Sequence, residues 1–388
     1  MTAAVPSGAP PTTRLRLTAL DGLRGVAALV VVLHHASLLA PSVSAIYVDG
    51  APPPAPGGPA WWVTTPLAVF QAGEEAVLVF FVLSGLVVAL PALRPGFDWF
   101  AYYPRRVVRL FVPVAGAVIF AAIIIVLTPQ TQSPINSSWV NGSSIPGLGP
   151  EVVVQGLDLI SGQFTIDNPL WSLRWELIFS LLLPVYVVTV VAARRRLWVV
   201  VVGAAVILPL AIQWGAPSAY YLPIFLFGTV MAMRIDSLRK LGDVHSVRGH
   251  LLWASLLLIS LLLLVTRWIV WPFVGGPIGA LAPMFAFTAL GACGIVLIAF
   301  AWRPLGTLLT LAPVAWLGRI SFSLYLIHVP VLIGIISLMP TRPLVAGAIG
   351  IVASLVVAEL FFRFVEGPAH RLARVVGQRS RSTLDSPS

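Results

Sequence analysis

Three of the six histidines, His34, His35 and His328, stand inside long apolar runs. Histidine is the side chain whose ordinary titration falls near neutrality. A buried imidazole can take a proton from a hydroxyl as a general base, or attack a carbonyl itself. Eleven positions before His35 comes Arg24. On a helix that spacing is three turns plus about 20°, which puts both on one face about 16 Å apart. Asp21 lies one turn before Arg24 on nearly the same face, whereas His34 is rotated away. The plainer account is a snorkelling arginine and a histidine held in a bundle by a hydrogen bond.

Other spacings also suit chemistry. Arg106 and Arg109 are i,i+3 neighbours that share a helix face after Tyr102-Tyr103-Pro104. Paired guanidinium groups fit phosphates through bidentate donors, and they equally serve as topogenic charge. Ser172, Glu176 and Ser180 form an i, i+4, i+8 polar stripe on an apolar segment. Glu176 is either a catalytic carboxylate or the partner of Arg174 or of an arginine on another helix. Ser321, Tyr325 and His328 recur at i, i+4 and i+7. Glu359, Arg363, Glu366 and His370 line another face, where Glu359 to Arg363 is the favourable order for an intrahelical ion pair.

The elements that position these groups must lie in lipid. Of 388 residues, 58% are hydrophobic and only 10% are charged, against about 25% for an ordinary soluble domain. So few charges furnish neither a water-facing surface nor a disordered chain. The one cysteine, Cys293, excludes an internal disulfide framework and any cysteine-based zinc site. No metal-ligand spacing, phosphate-cradling glycine loop or nucleophile elbow is present. The net charge of +10 comes without a nucleic-acid motif, so it reads as membrane orientation rather than nucleic-acid binding.

The fold class expected is an all-α polytopic bundle. Apolar runs able to cross a core of about 30 Å fall at 24–40, 76–92, 107–127, 169–192, 197–213, 218–233, 251–271, 278–300, 314–338 and 343–365, ten in all. The sixth is short and carries Pro223. With the N-terminus inside, 21 of the 24 basic residues fall on inner segments, and only Arg174, Arg267 and Arg342 fall outside. That alternation predicts a chain with both ends cytoplasmic. A cleavable leader at the start is disfavoured by the histidine pair within its apolar run. Two outer loops, 41–73 and 128–168, are long and contain no Lys or Arg. Residues 1–16 and 376–388 read as disordered tails around a membrane domain at 17–375.

In chain order, several blocks resemble the acyltransferase 3 family of ten-helix membrane O-acyltransferases. They are Leu20-Asp21-Gly22-Leu23-Arg24-Gly25 with His35, Phe80-Phe81-Val82-Leu83-Ser84-Gly85, and Arg105-Arg106-Val107-Val108-Arg109. Trp171-Ser172-Leu173 with Glu176 follows, then Arg319-Ile320-Ser321-Phe322-Ser323-Leu324-Tyr325-Leu326-Ile327-His328, then Glu366-Gly367-Pro368. The resemblance runs from about Leu17 to Arg374. It departs where members often carry an acid two positions before the Phe-Phe pair: Leu78 stands there, and the nearest acids are Glu74 and Glu75. Leu177-Ile178 also replaces the second Glu and the Gln that often follow the matched glutamate.

The resemblance implies transfer of an acyl group, acetyl in the simplest case, from cytoplasmic acyl-CoA to a hydroxyl of a sugar-bearing acceptor. Surface glycans, glycolipids and macrolides are the acceptor classes. It implies a bacterial inner-membrane location and no permanently bound cofactor, with acyl-CoA as co-substrate. His35, Glu176 and His328 become the catalytic candidates. Arg24, Arg106 and Arg109 are the acyl-CoA-binding candidates, supported by Asp21, Ser84, Ser172, Ser321 and Tyr325. No metal is implied. Some members carry a fused extracytoplasmic hydrolase-like domain, which is not expected in the short stretch after Arg371. The rival class is a transporter exporting a small acid, sugar or lipid through the same polar interior. The lack of an internal repeat weighs against it.

Overall fold

The computed structural model describes residues 11–128 and 130–382; for residues 11–17 and 379–382 only the backbone is described. It is all-helical, with no strand among the described residues. The helices are α1 (Pro11–Ser37), α2 (Pro41–Tyr47), α3 (Gly73–Ala92), α4 (Trp99–Leu127), α5 (Ser138–Ser143), α6 (Pro150–Leu157), α7 (Leu170–Leu181), α8 (Leu183–Ala192) and α9 (Leu197–Gln213). They continue with α10 (Pro217–Met233), α11 (Ile235–Leu241), α12 (Val247–Leu264), α13 (Thr266–Val274), α14 (Phe285–Ala301), α15 (Arg303–Leu309), α16 (Ala312–Leu338), α17 (Pro343–Phe361) and α18 (Gly367–Ser382).

Each of the ten apolar runs falls on helix. Among the described residues, seven segments are long and apolar enough to cross a membrane, and the count reaches nine if α7 with α8, and α10 with α11, each make one broken span. α9, at 17 residues, is the shorter apolar helix that the sequence count of ten also included. Pro223 is accommodated inside α10. α1 already begins at Pro11 and α18 continues to Ser382, while residues 1–10 and 383–388 lie outside the described residues. α4 starts eight residues before its apolar run, because the Asp98 side chain accepts from the Ala101 N–H at 2.9 Å and caps it. The Tyr102–Arg109 stretch is therefore part of the helix, as the shared face of Arg106 and Arg109 requires.

Two compact units are distinguished. Of the described residues, the first holds those up to His34, Ala45–Leu93 and Leu182–Ser321; the second holds His35–Ser44, those in Arg94–Leu181 and those from Phe322 onward. In the first unit, glycines let backbones meet. A Cβ on Gly22 would run into the Leu309 carbonyl, and one on Gly25 into the backbone at Gly318. Likewise Gly85 lies against the Phe225 carbonyl, and Gly228 against that of Val82, where α3 crosses α10. Small residues at helix crossings are how membrane helices gain packing without a hydrophobic driving force. Two of the motif blocks thus contain packing positions. In the second unit, α18 packs along α4, and the Arg105 guanidinium lies over Gly377.

Candidate active site

The second unit brings His35 and His328 together. His35 Nδ1 and His328 Nε2 are 2.9 Å apart, with ring centroids at 5.0 Å. His328 is fully buried, and its Nδ1 lies 3.0 Å from the Leu324 carbonyl one turn back. A carbonyl only accepts, so His328 Nδ1 carries the hydrogen, and in the neutral ring Nε2 carries the lone pair. The 2.9 Å contact then requires His35 Nδ1–H to donate. This puts the His35 lone pair on Nε2. The arrangement follows the logic of a base oriented by a third group, with a backbone carbonyl fixing the orienter. Two of the catalytic candidates from the sequence, on separate helices, are thus brought into direct contact.

Over His35 lies Trp139, stacked at 5.3 Å and 27°. It belongs to α5 in the 128–168 loop and is buried, whereas His35 keeps part of its surface exposed. Nothing in the spacing of the sequence singled out this tryptophan.

The stripe on α7 divides between two neighbours. Ser172 Oγ and Tyr325 OH are 2.7 Å apart, and both approach the Pro169 carbonyl, at 3.1 and 3.2 Å. Two hydroxyl hydrogens are thereby shared between one another and a carbonyl, so the pair acts as a clamp on the entry to α7. Glu176 forms a buried ion pair with Arg106, whose Nε also donates to Ser180 Oγ at 2.8 Å. Tyr102 OH and Tyr103 OH add bonds to the carbonyls of Ser180 and Leu181 at 3.2 and 3.3 Å. The inter-helix arginine is thus the partner of Glu176. Arg174 instead donates to the Gly162 carbonyl at 2.7 Å and lies over the Phe164 ring. Arg109, half-buried, shares a helix with Arg106 but not its buried ion pair.

Just before α7, Asp167 is fully buried, and neither carboxyl oxygen has a hydrogen-bond partner. Burial pushes its pKa well above the usual carboxylate range. Sequence reasoning missed it, because an Asp before Asn-Pro reads as turn chemistry. A small cleft in this unit is lined by Ile125, Gln130, Ser143, Ile166, Val329 and Ile333. Glu366, also buried, accepts from Ser323 N–H at 3.1 Å and Ser323 Oγ at 2.5 Å, which fixes α16 to the start of α18. Glu359 and Arg363 form the expected intrahelical pair at 2.7 Å.

The remaining candidates lie in the first unit. Arg24 is buried and 3.5 Å from Asp21. Ser84 is buried beside Gly85, and Ser321 returns its hydroxyl to the Gly318 carbonyl at 2.9 Å. His34 Nδ1 lies 2.9 Å from the Gln71 carbonyl, with its ring edge-on to Tyr47. An ion cluster that the sequence did not disclose also stands in this unit. Arg267 reaches Glu74 at 2.6 Å and Glu75 at 3.0 Å, Trp268 donates to Glu75 at 2.8 Å, and Tyr220 donates to Glu74 at 3.1 Å.

A family model described as an acyltransferase domain, of the acyltransferase 3 type, matches residues 17–363. The chain belongs to the acyltransferase 3 family. Neither a curated protein nor a solved structure matches it. Membership makes this a membrane acyltransferase family chain.

Proposed function

We propose that the chain is a bacterial inner-membrane O-acyltransferase that moves an acetyl group from cytoplasmic acetyl-CoA to a hydroxyl of a sugar-bearing acceptor. Surface glycans, glycolipids and macrolides are the acceptor classes. The observation that carries the reading is the oriented His35–His328 pair. In the proposed reaction His35 Nε2 takes the acceptor hydroxyl proton while the oxygen attacks the thioester carbonyl. The tetrahedral intermediate collapses by breaking the C–S bond, and the leaving CoA thiolate takes the proton back from the imidazolium. His328 holds His35 in the productive tautomer and stabilises the imidazolium through its own lone pair.

Arg109 is the arginine proposed to meet the CoA phosphates. Arg106 and Arg24 are buried against Glu176 and Asp21, so their part is to position the helix ends. Glu176 serves as the counter-charge of Arg106. Acetyl-CoA labelled in the acetyl group, given to purified protein with a glycolipid extract of the producing cells, should release free CoA and label the extract. His35→Ala should stop both. Uptake of label without CoA release would favour a transporter.

The reading includes ten spans with both ends cytoplasmic. After Cys293→Ser, a cysteine placed at Ser138 should react with an impermeant thiol reagent outside intact cells, and one at Ser237 should not. Labelling at Ser237 from outside would reverse the orientation.

A further inference from the structure

The stacking of Trp139 on His35 carries a consequence beyond the choice of base. We infer that Trp139 is a positioning residue that shields the His35 imidazole from water, so that the thioester is transferred rather than hydrolysed. This rests on His35 being the base of acyl transfer.

The short helix that carries the indole is held in place by several contacts. Ser137 Oγ donates to the Leu38 carbonyl at 2.7 Å and also caps α5 by accepting from the Val140 N–H at 3.2 Å. Ser44 Oγ accepts from the backbone N–H of Trp139 at 3.0 Å. The turn before α5 is tied by Asn141, which accepts from the Ser133 N–H and donates to the Ser133 carbonyl, both at 3.0 Å. Loops with few anchors open at little free-energy cost. This one is bonded twice, at the start of its short helix, to the segment that follows α1, with the indole laid on the candidate base.

Two physical effects follow. A buried indole face 5.3 Å from the imidazole displaces water from that side and lowers the local dielectric. The same face stabilises an imidazolium when the proton arrives. Water is the competing nucleophile in any thioester transfer. It would lose its proton to His35 Nε2, form the new C–O bond, expel the CoA thiolate, and leave acetic acid. A base already equipped to deprotonate a hydroxyl would do this whenever water reached it. The proposed role of Trp139 is to deny that access until an acceptor hydroxyl is in place.

The test is acceptor-free CoA release from acetyl-CoA by the full chain in detergent. Trp139→Ala should raise this hydrolysis by about tenfold or more over wild type, and Trp139→Phe should restore the wild-type rate because a ring still covers His35. Adding His35→Ala to Trp139→Ala should abolish the gain. Ser137→Ala keeps the indole but loosens its anchor; it should leak by a few-fold, and it carries the test if Trp139→Ala folds poorly. A change in packing alone would lower every rate together and would not be reversed by Phe. Hydrolysis by Trp139→Ala and Ser137→Ala at or below the wild-type rate would overturn the inference. Transfer that survives His35→Ala would instead sink the reading on which it rests.

Discussion

His34 and His35 are adjacent on one helix, yet they fall in different compact units and have different partners. His34 turns to the Gln71 carbonyl and the edge of Tyr47, near the cluster in which Arg267 neutralises Glu74 and Glu75. His35 turns to His328 under the face of Trp139. The first environment is filled with charges that answer one another, and its histidine bonds to a backbone carbonyl. The second holds an imidazole whose lone pair is directed by another imidazole. A rotation of about 100° along the helix separates a structural histidine from a catalytic candidate.

The sharpest way to break this contrast is by substitution. His35→Ala should lower transfer by roughly 10²–10⁴-fold, while His34→Ala should lower it only a few-fold. His328→Ala should cost about 10–100-fold, the usual toll of removing an orienting partner. His328→Gln should recover part of that loss, since an amide oxygen can accept from His35 Nδ1–H. If His328→Ala is dead while His35→Ala stays active and folded, the roles are reversed.

The two ion clusters make the next comparison. Breaking a buried pair by removing one partner costs roughly 3–5 kcal/mol, so Arg106→Met and Arg267→Met should both destabilise the detergent-solubilised protein. Arg267→Met should be the worse, because two carboxylates lose their counter-charge. Arg106→Met with Glu176→Met should recover most of the loss. Equal damage in the single and double variants would show that Glu176 does something besides neutralising Arg106.

Arg109→Ala should weaken acetyl-CoA binding by roughly 1.5–3 kcal/mol, the worth of a charge-assisted contact, and Lys should restore part of it. Normal binding of acetyl-CoA by this variant would leave Arg109 a topogenic charge.

The smallest effect concerns Asp167. Burial holds its folded-state pKa well above the ordinary aspartate value of 3.8. The folded chain therefore holds a proton that the unfolded chain releases, and the stability tied to it is complete below about pH 4 and lost as pH rises through the folded value. Asp167→Asn should flatten that decline, gaining most in melting temperature at the alkaline end. An unchanged pH dependence would mean that Asp167 is ionised in the folded chain.

Much of this was legible in the sequence. The apolar runs announced the helices, since a bilayer-length stretch without charge has few other folds. The Ser172-Glu176-Ser180 stripe announced inter-helix bonds, because polar groups on such a helix need partners. Arg24 beside Asp21, and Arg363 beside Glu359, followed from helical spacing alone. What periodicity left out was identity across elements. Glu176 had two possible arginine partners, Glu74 and Glu75 had none assigned, and Trp139 and Asp167 stood in a loop whose composition reads only as turns and linkers.

The sequence by itself determined the solvent, the helices and which side chains share a face, because each depends on residues within a few turns of one another. Only the tertiary structure decided that His35 meets His328 and that Arg106 meets Glu176. Those contacts join residues 293 and 70 positions apart. Helical spacing fixes the direction of a side chain from its own axis, while the approach of two axes depends on glycine crossings, caps and breaks along the whole chain.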